Sequence, residues 1–369
     1  MIVSRWQSGI WKFGVDNCSI FKMKRRTKFI VIGVAMSLFL LLALTGYIAY
    51  TAVLAPAVRN GHTIYIQIRP GDDMSMVKEK LTASVDIRKI GLSAFEPLMK
   101  HYKYDSRVKP GNYAIRPDDS MRDICLRLLS GNQTPVRIVL PSVRTLDRLA
   151  GAIGKQLMVD STAVMTLLSD VHFLDSLGYT PATAPCIFIP NTYEVYWTMT
   201  PEQFVARMLK ENKRFWNSSR MNKAKAQGLT PNEVMTLASI VDEETAKDDE
   251  KPMVARLYLN RLKRGMLLQA DPTVKFALGE FELRRILYAH LQTDSPYNTY
   301  KYAGLPPGPI RIPSVAAIES VLNPAKHTYI YMCAKEDFSG YHNFATTLSQ
   351  HNANARRYQQ ALNKRGIKK

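Results

Sequence analysis

Residues 230–245 read TPNEVMTLASIVDEET, a segment that opens with the start signal of an α-helix. Thr230 can cap the helix, Pro231 suits the first helical position, and Glu233 completes a capping box three residues after the cap. The segment therefore predicts a helix whose register is fixed from its first turn.

One face of this helix carries apolar side chains followed by a carboxylate: Leu237, Ile240, Val241 and Glu244. Asp242 and Glu243 point away from that face. Burial should raise the pKa of Glu244 toward neutrality, as a general acid requires. The alternative is that Glu244, near the helix end, turns out to solvent or pairs with Lys247 or a distant arginine.

Further along the chain, polar and aromatic residues stand on loops stiffened by proline. These loops read LQADPT at 268–273, SPYNTY at 295–300 and GLPPGPI at 304–310, and HNF and QHN follow at 342–344 and 350–352. Rigid loops of this kind suit a concave site for a polar ligand. A proline-rich surface loop without function has the same composition, so composition alone does not decide between the two.

The composition is that of a folding globular protein, with 46% hydrophobic and 22% charged residues over 369 positions. Fifty Lys and Arg against 31 Asp and Glu give a net charge of +19. Nucleic acid, an anionic membrane face or an acidic polymer are the usual neighbours of such a chain. Four cysteines, with no C-x-x-C pair, and the lack of an H-E-x-x-H motif give no reason to expect a metal or another cofactor.

Residues 29–53, FIVIGVAMSLFLLLALTGYIAYTAV, form an uncharged segment long enough to cross a bilayer. Residues 1–28 form a basic tail, with seven Lys or Arg against one Asp, and this bias predicts a cytoplasmic N-terminus. A cleavable signal ending near Ala55-Pro56-Ala57 is the weaker alternative, and translation could start at Met23 instead of Met1. The rest of the chain would then lie outside the cytoplasm, where an anionic envelope polymer is a better partner than nucleic acid.

Two α+β domains are expected after this segment. Residues 60–135 predict two cycles of strand and helix, which could bind carbohydrate or act only as a spacer. Residues 136–369 predict a larger domain with a strand at 136–141, helices near 145–157, 161–168, 201–216 and 350–362, and a loop over 181–197. The fold class is therefore α+β with a single N-terminal transmembrane helix.

Together, the segments 237–245 and 269–274, the loops SPYNTY and GLPPGPI, and the closing HNF and QHN resemble the MltG (YceG-like) family of membrane-anchored endolytic murein transglycosylases. The resemblance implies a LysM-like subdomain at 60–135 and a catalytic domain at 136–369. It places the family's catalytic acid, the Glu before Thr, at Glu244. The sequence departs from the family's common residues at Asp242, Glu243, Asn191, Ala345 and Gln350.

The implied reaction cleaves the β-1,4 bond between N-acetylmuramic acid and N-acetylglucosamine inside a glycan strand of peptidoglycan. It leaves a 1,6-anhydro end, and near the cytoplasmic membrane it would act on new strands and set their length. Resemblance and chemistry together give the candidates for binding substrate: Gln269, Asp271, Tyr297, Asn298, Tyr300 and His342.

Two alternatives stay open. A muramidase-type hydrolase would use Asp271 as a second carboxylate, and a non-catalytic scaffold would bind glycan and recruit peptidoglycan synthases. The type of muramic end in the products separates the hydrolase from the transglycosylase, and substitution of Glu244 tests the scaffold.

Overall fold

The computed structural model describes residues 25–283 and 285–366, and these form two compact units. The first unit contains the described residues up to Ile66, Gly71–Lys109 and Ala114–Asn132. The second contains Gln67–Pro70, Pro110–Tyr113 and the described residues from Gln133 onward. Helices and strands both occur, so the α+β prediction is confirmed.

The chain enters the first unit through a long apolar helix, α1, at Arg25–Val53. Its mean hydropathy reaches 2.5 over its most apolar 18 residues, and its large side chains are exposed. By length and composition this helix could cross a membrane, and it contains the predicted span 29–53. Most of the predicted basic tail, residues 1–24, lies outside the described residues.

The rest of the first unit contains three helices: α2 at Met74–Ser84, α3 at Lys89–His101 and α4 at Met121–Ser130. Strands β1 at Ile64–Ile68 and β2 at Gly111–Ile115 pair with each other. Helix α4 begins at a capping box of Ser120 and Asp123 and stops at Gly131, whose φ of 70° suits glycine. The two predicted cycles of strand and helix are present, and α3 is an additional helix that the sequence analysis did not predict.

From Gln133 onward, the first elements of the second unit are an antiparallel strand pair. Strand β3 at Val136–Leu140 pairs with β4 at Asn191–Val195, from Val136 opposite Val195 to Leu140 opposite Asn191. Four helices pack around the pair: α5 at Leu146–Gly154, α6 at Ser161–Ser169, α7 at Val171–Ser176 and α8 at Pro201–Phe215.

The prediction that 181–197 is entirely loop was wrong, because β4 lies inside it. Tyr193 and Val195 are buried and Thr192 and Glu194 are exposed, the alternation of a strand with one face on the core. The segment also contains a 3-10 turn at Ala184–Ile187.

Helix α10, at Pro231–Glu244, lies within a hydrophobic core of the second unit, to which Val234, Leu237 and Ile240 contribute. Its predicted capping box is confirmed: the Glu233 backbone N–H donates to Thr230 Oγ1 at 3.3 Å, and the Thr230 N–H donates to Glu233 Oε2 at 2.7 Å. Every residue from Val234 to Val241 is buried.

The remaining elements surround α10 or follow it along the chain. The helices are α9 at Ser218–Ala226, α11 at Lys251–Lys263, α12 at Asp271–Leu278, α13 at Tyr288–Leu291, α14 at Val315–Leu322 and α15 at Leu348–Lys364. Strand β5 at Tyr331–Ala334 pairs antiparallel with β6 at His342–Ala345. The three cysteines within the described residues, Cys125, Cys186 and Cys333, are free thiols.

Candidate active site

A cleft of about 420 Å³ opens at the C-terminal end of α10, where Glu244 is the last helical residue. Helices α11, α12 and α15 and strands β5 and β6 contribute its other walls. The cleft brings together five of the seven site residues expected from the sequence: Glu244, Gln269, Asp271, Tyr300 and His342.

Glu244 is only partly exposed at the cleft wall. The Tyr258 hydroxyl donates a hydrogen bond to its Oε1 at 2.7 Å. Burial raises the pKa of Glu244 to about 7; the Tyr258 hydrogen bond opposes this rise and the negative charge of Asp271 adds to it. Among residues 25–283 and 285–366 no cation forms an ion pair with Glu244, so the alternative pairing with Lys247 or a distant arginine is not observed.

Asp271 and Gln269 stand on either side of the start of α12. The Tyr300 hydroxyl donates to Asp271 Oδ1 at 2.6 Å and orients this exposed carboxylate. Gln269 adopts a left-handed backbone conformation, with φ of 54°, and its N–H donates to the Thr299 carbonyl at 3.1 Å. The 295–300 loop therefore fixes both residues from behind.

His342, the first residue of β6, is held by a buried carboxylate. Its Nδ1 donates to Glu250 Oε2 at 2.9 Å, and its backbone N–H donates to Glu250 Oε1 at 2.7 Å. Glu250 is 5% exposed and binds both groups at once. This contact orients the imidazole, which leaves Nε2 as the ring nitrogen free of Glu250.

Tyr297 and Asn298 lie behind the cleft and do not line it. Asn298 is fully buried, and its amide donates to the carbonyls of Leu291 at 2.9 Å and Thr293 at 2.8 Å. The Tyr297 ring packs against Phe276, with centroids 4.7 Å apart. The Tyr300 backbone N–H also donates to Asn298 Oδ1 at 3.0 Å, so Asn298 helps to hold Tyr300 in place. Both residues thus support the loop behind the cleft, whereas the sequence led us to expect that they line it.

Several cleft residues were not selected from the sequence: Tyr258, Arg261, Tyr331 and His351. Tyr258 and Arg261 stand three positions apart on α11 and so share one face of it. Both are buried, and the Arg261 guanidinium donates to the carbonyls of Leu267 and Ile330, each at 2.8 Å, and to Gln269 Oε1 at 2.5 Å. Tyr and Arg on the face of α11 that also carries Val254, Leu257 and other buried residues are the signal that could have identified them.

No group of three His, Cys, Asp or Glu side chains within the described part of the chain is arranged to hold a metal ion. The cleft instead offers one carboxyl group with a near-neutral pKa, surrounded by hydroxyl, amide and imidazole groups and aromatic rings. Such a site belongs to the class that transfers protons to and from a polar ligand.

The chain belongs to the YceG-like family, whose pattern matches residues 66–357. This confirms the membership expected from the motifs. An endolytic murein transglycosylase of Bacillus subtilis is 28% identical over 319 residues, which cover 82% of this chain and 87% of that relative.

A second relative, an endolytic murein transglycosylase of Streptococcus pneumoniae, is 30% identical over 264 residues. The match covers 63% of this chain and 48% of the relative, so the chain spans about half the length of that protein. A crystal structure of a YceG-like protein from Listeria monocytogenes matches with a TM-score of 0.53 and 28% identity. That match covers 80% of this chain and 99% of the other.

Proposed function

We propose that this protein is a peptidoglycan lytic transglycosylase that cleaves the β-1,4 bond between N-acetylmuramic acid and N-acetylglucosamine inside glycan strands. The observation that carries the proposal is Glu244, whose carboxyl group lies in the cleft without an ionic partner among the described residues and with a pKa raised to about 7. The relatives from Bacillus and Streptococcus, both named endolytic murein transglycosylases, support the choice of substrate.

Glu244 would act twice in this reaction. Its protonated carboxyl first gives a proton to the glycosidic oxygen as the bond from that oxygen to the muramic anomeric carbon breaks. The resulting carboxylate then takes the proton of the muramic carbon-6 hydroxyl, whose oxygen bonds to the anomeric carbon. A 1,6-anhydro end forms, Glu244 regains its proton, and no water is consumed.

The other cleft residues fit the binding of a polar chain. The cleft is lined by amide, carboxylate, hydroxyl and imidazole groups, from Gln269, Asp271, Tyr300 and His342. Hydroxyl and acetamido groups of a sugar chain are natural partners for such side chains, and the rings suit stacking. Tyr297 and Asn298 would contribute by holding Tyr300.

Helix α1 supports a membrane location for the reaction. We infer that it anchors the protein in the cytoplasmic membrane, with the basic tail inside and the catalytic residues outside. The cleft would then cut glycan near the membrane, where new strands emerge and peptidoglycan synthases work. The α+β elements within 60–135 would add a LysM-like glycan contact.

The test is mass spectrometry of muropeptides released from purified peptidoglycan by the full-length chain in detergent micelles. We expect anhydro-muramic ends from the native chain and a loss of about 10²–10⁴-fold in the Glu244→Gln variant, since that variant has no acid to give. An unchanged rate in Glu244→Gln would overturn the role of this residue.

A hydrolase is the second candidate, favoured by the presence of the Asp271 carboxylate in the same cleft. Reducing muramic ends from the native chain, lost in Asp271→Asn, would establish it, because a two-carboxylate mechanism delivers water to the anomeric carbon. Release by neither the native chain nor any variant would favour a scaffold that only binds glycan.

A further inference from the structure

We propose that Tyr258 is the positioning residue of Glu244: its hydroxyl holds Oε1 and leaves Oε2 as the oxygen that exchanges protons with the substrate. The inference rests on the proposed function, because it assigns the two oxygens of that acid to different tasks. The observation is the 2.7 Å contact between the Tyr258 hydroxyl and Glu244 Oε1.

The direction of this hydrogen bond follows from the surroundings of Tyr258. Its side chain is 2% exposed on α11, and Glu244 Oε1 is its hydroxyl's one hydrogen-bond partner within the described residues. Burial raises the pKa of Tyr258 well above its usual value, so the phenol keeps its proton. The hydroxyl therefore donates that proton to Oε1, because a buried donor without an acceptor is costly.

The oxygen that accepts this hydrogen bond is less basic than the other carboxyl oxygen and so does not carry the acidic proton. The protonated form of Glu244 therefore carries its proton on Oε2. After that proton has gone to the glycosidic oxygen, Tyr258 still holds Oε1, so Oε2 is also the oxygen that receives the proton of the carbon-6 hydroxyl. One fixed carboxyl orientation thus serves both steps of the reaction.

Five ionisable groups lie near the Glu244 carboxyl, and one of them is Tyr300 on the 295–300 loop. Tyr258 approaches from α11, Asp271 from α12 and His342 from β6, while Glu243 precedes it on α10. Asp271 and Glu243 favour the protonated acid through their negative charges. Tyr258 favours the carboxylate through its hydrogen bond, as does His342 when protonated.

Around Tyr258 itself lie Arg261 and Tyr300 as well as Glu244. Loss of the hydroxyl alone leaves Asp271, Glu243 and His342 in place. The Tyr258→Phe variant should therefore have a higher pKa at Glu244. Since the first step needs the protonated acid, the alkaline limb of kcat/KM should move to higher pH.

The experiment compares the full-length chain with Tyr258→Phe in detergent micelles, measuring the release of anhydro-muropeptides from purified peptidoglycan across pH. We expect the alkaline limb to move upward and kcat to fall about 10- to 100-fold, as for the loss of a hydrogen bond to a charged group. Tyr193→Phe is the matched control, since its buried hydroxyl donates to the Ile189 carbonyl at 2.6 Å and Tyr193 does not line the cleft. Its pH profile should not move.

Replacement of Tyr258 by 3-fluorotyrosine gives a second test that keeps the ring, the hydroxyl and the fold. Fluorine makes the phenol a stronger donor, so the alkaline limb should move to lower pH, opposite to Tyr258→Phe. A limb that stays in place in both variants, or that moves the same way in both, would overturn the proposal.

The inference can fail separately from the proposed function. If the native chain releases no anhydro ends, the function proposal fails, and the 13C resonance of the Glu244 carboxyl still reports its titration without activity. That resonance is identified by its absence in Glu244→Gln. A resonance that titrates identically in Tyr258→Phe and the native chain would reject the role of Tyr258 on its own.

Discussion

Asp242 and Glu244 stand two positions apart at the end of the same helix, yet their carboxyl groups have opposite properties. Asp242 contacts Lys251 at 2.9 Å and accepts hydrogen bonds from the backbone N–H of Ser314 at 2.8 Å and from its hydroxyl at 2.9 Å. Burial alone would raise the pKa of Asp242, but the contacts with Lys251, Ser314 and Arg311 hold it below its usual value. Glu244 has a single neutral donor, and its pKa rises to about 7.

The difference shows that burial raises the pKa of both acids and that their partners decide the outcome: cations and hydrogen-bond donors outweigh burial at Asp242 but not at Glu244. Glu243, like Asp242, has cationic partners, because Arg144 and Arg311 both bind it. Asp242 and Glu243 are thus both parts of ion pairs. Glu244 alone of the three faces the cleft and has no cation among the described residues.

The largest expected effect comes from removing Lys251, the cation that pairs with Asp242. Lys251→Met removes a side chain that is 6% exposed and leaves the buried Asp242 charge with the more distant Arg311, at 3.6 Å, as its cation. Breaking a buried ion pair from one side typically costs about 3–5 kcal/mol. Because Arg311 remains, we expect a loss at the lower end of that range in denaturant unfolding at pH 7, followed by near-UV circular dichroism.

Lys263→Ala, an exposed lysine on the same helix, is the control and should change stability by less than about 0.5 kcal/mol. Adding Asp242→Asn to Lys251→Met should recover part of the loss, since the buried charge is then gone. Equal losses in the two lysine variants would contradict the importance assigned to the ion pair.

The next largest effect concerns Glu244, whose raised pKa makes the free energy of unfolding depend on pH. In the native fold Glu244 stays protonated up to a pKa of about 7, whereas its ordinary value is 4.5. Between these values the unfolded chain has lost the proton and the folded chain has not. The stability contributed by Glu244 is therefore complete below pH 4.5 and falls by about 3 kcal/mol as the pH rises to 7.

Glu244→Gln removes this titration. We expect its stability relative to the native chain to improve by about 3 kcal/mol between pH 4 and pH 8, measured by denaturant unfolding at both values. Glu280→Gln, at an exposed glutamate after α12, is the control for removing a carboxylate from the surface. A pH-independent difference for Glu244→Gln would mean that the acid is paired or solvated like an ordinary surface carboxylate.

Glu244 could be predicted as the acid from the sequence because the prediction depends only on residues near it in the chain. The capping box of Thr230 and Glu233 fixes the start of α10, and the helical period then carries the apolar face to Glu244. Asp271, Gln269 and Tyr300 could be selected because their loop motifs resemble those of a family.

Features that depend on contacts distant in the chain could not be predicted in this way. Strand β4 is five residues long and exists through its pairing with β3, which lies more than fifty positions earlier. Tyr258 reaches Glu244 only because α11 packs beside α10. The sequence led us to expect that Asn298 binds substrate, but the fold of the loop directs its amide to the backbone carbonyls of Leu291 and Thr293.

The smallest expected effect concerns Glu243, which separates the two contrasting acids and has two cations. Arg144 donates to both of its oxygens at 2.8 Å, and Arg311 donates to Oε1 at 3.0 Å. Because Arg311 remains and Arg144 is 32% exposed, Arg144→Gln should cost only about 1 kcal/mol in denaturant unfolding.

The same variant should also change the pH profile of activity. The less neutralised Glu243 would favour the protonated form of Glu244, so the alkaline limb of kcat/KM should move slightly to higher pH. Adding Glu243→Gln removes that negative charge and should move the alkaline limb back to lower pH. If the limb moves the same way in the single and the double variant, Glu243 is not the residue through which Arg144 acts.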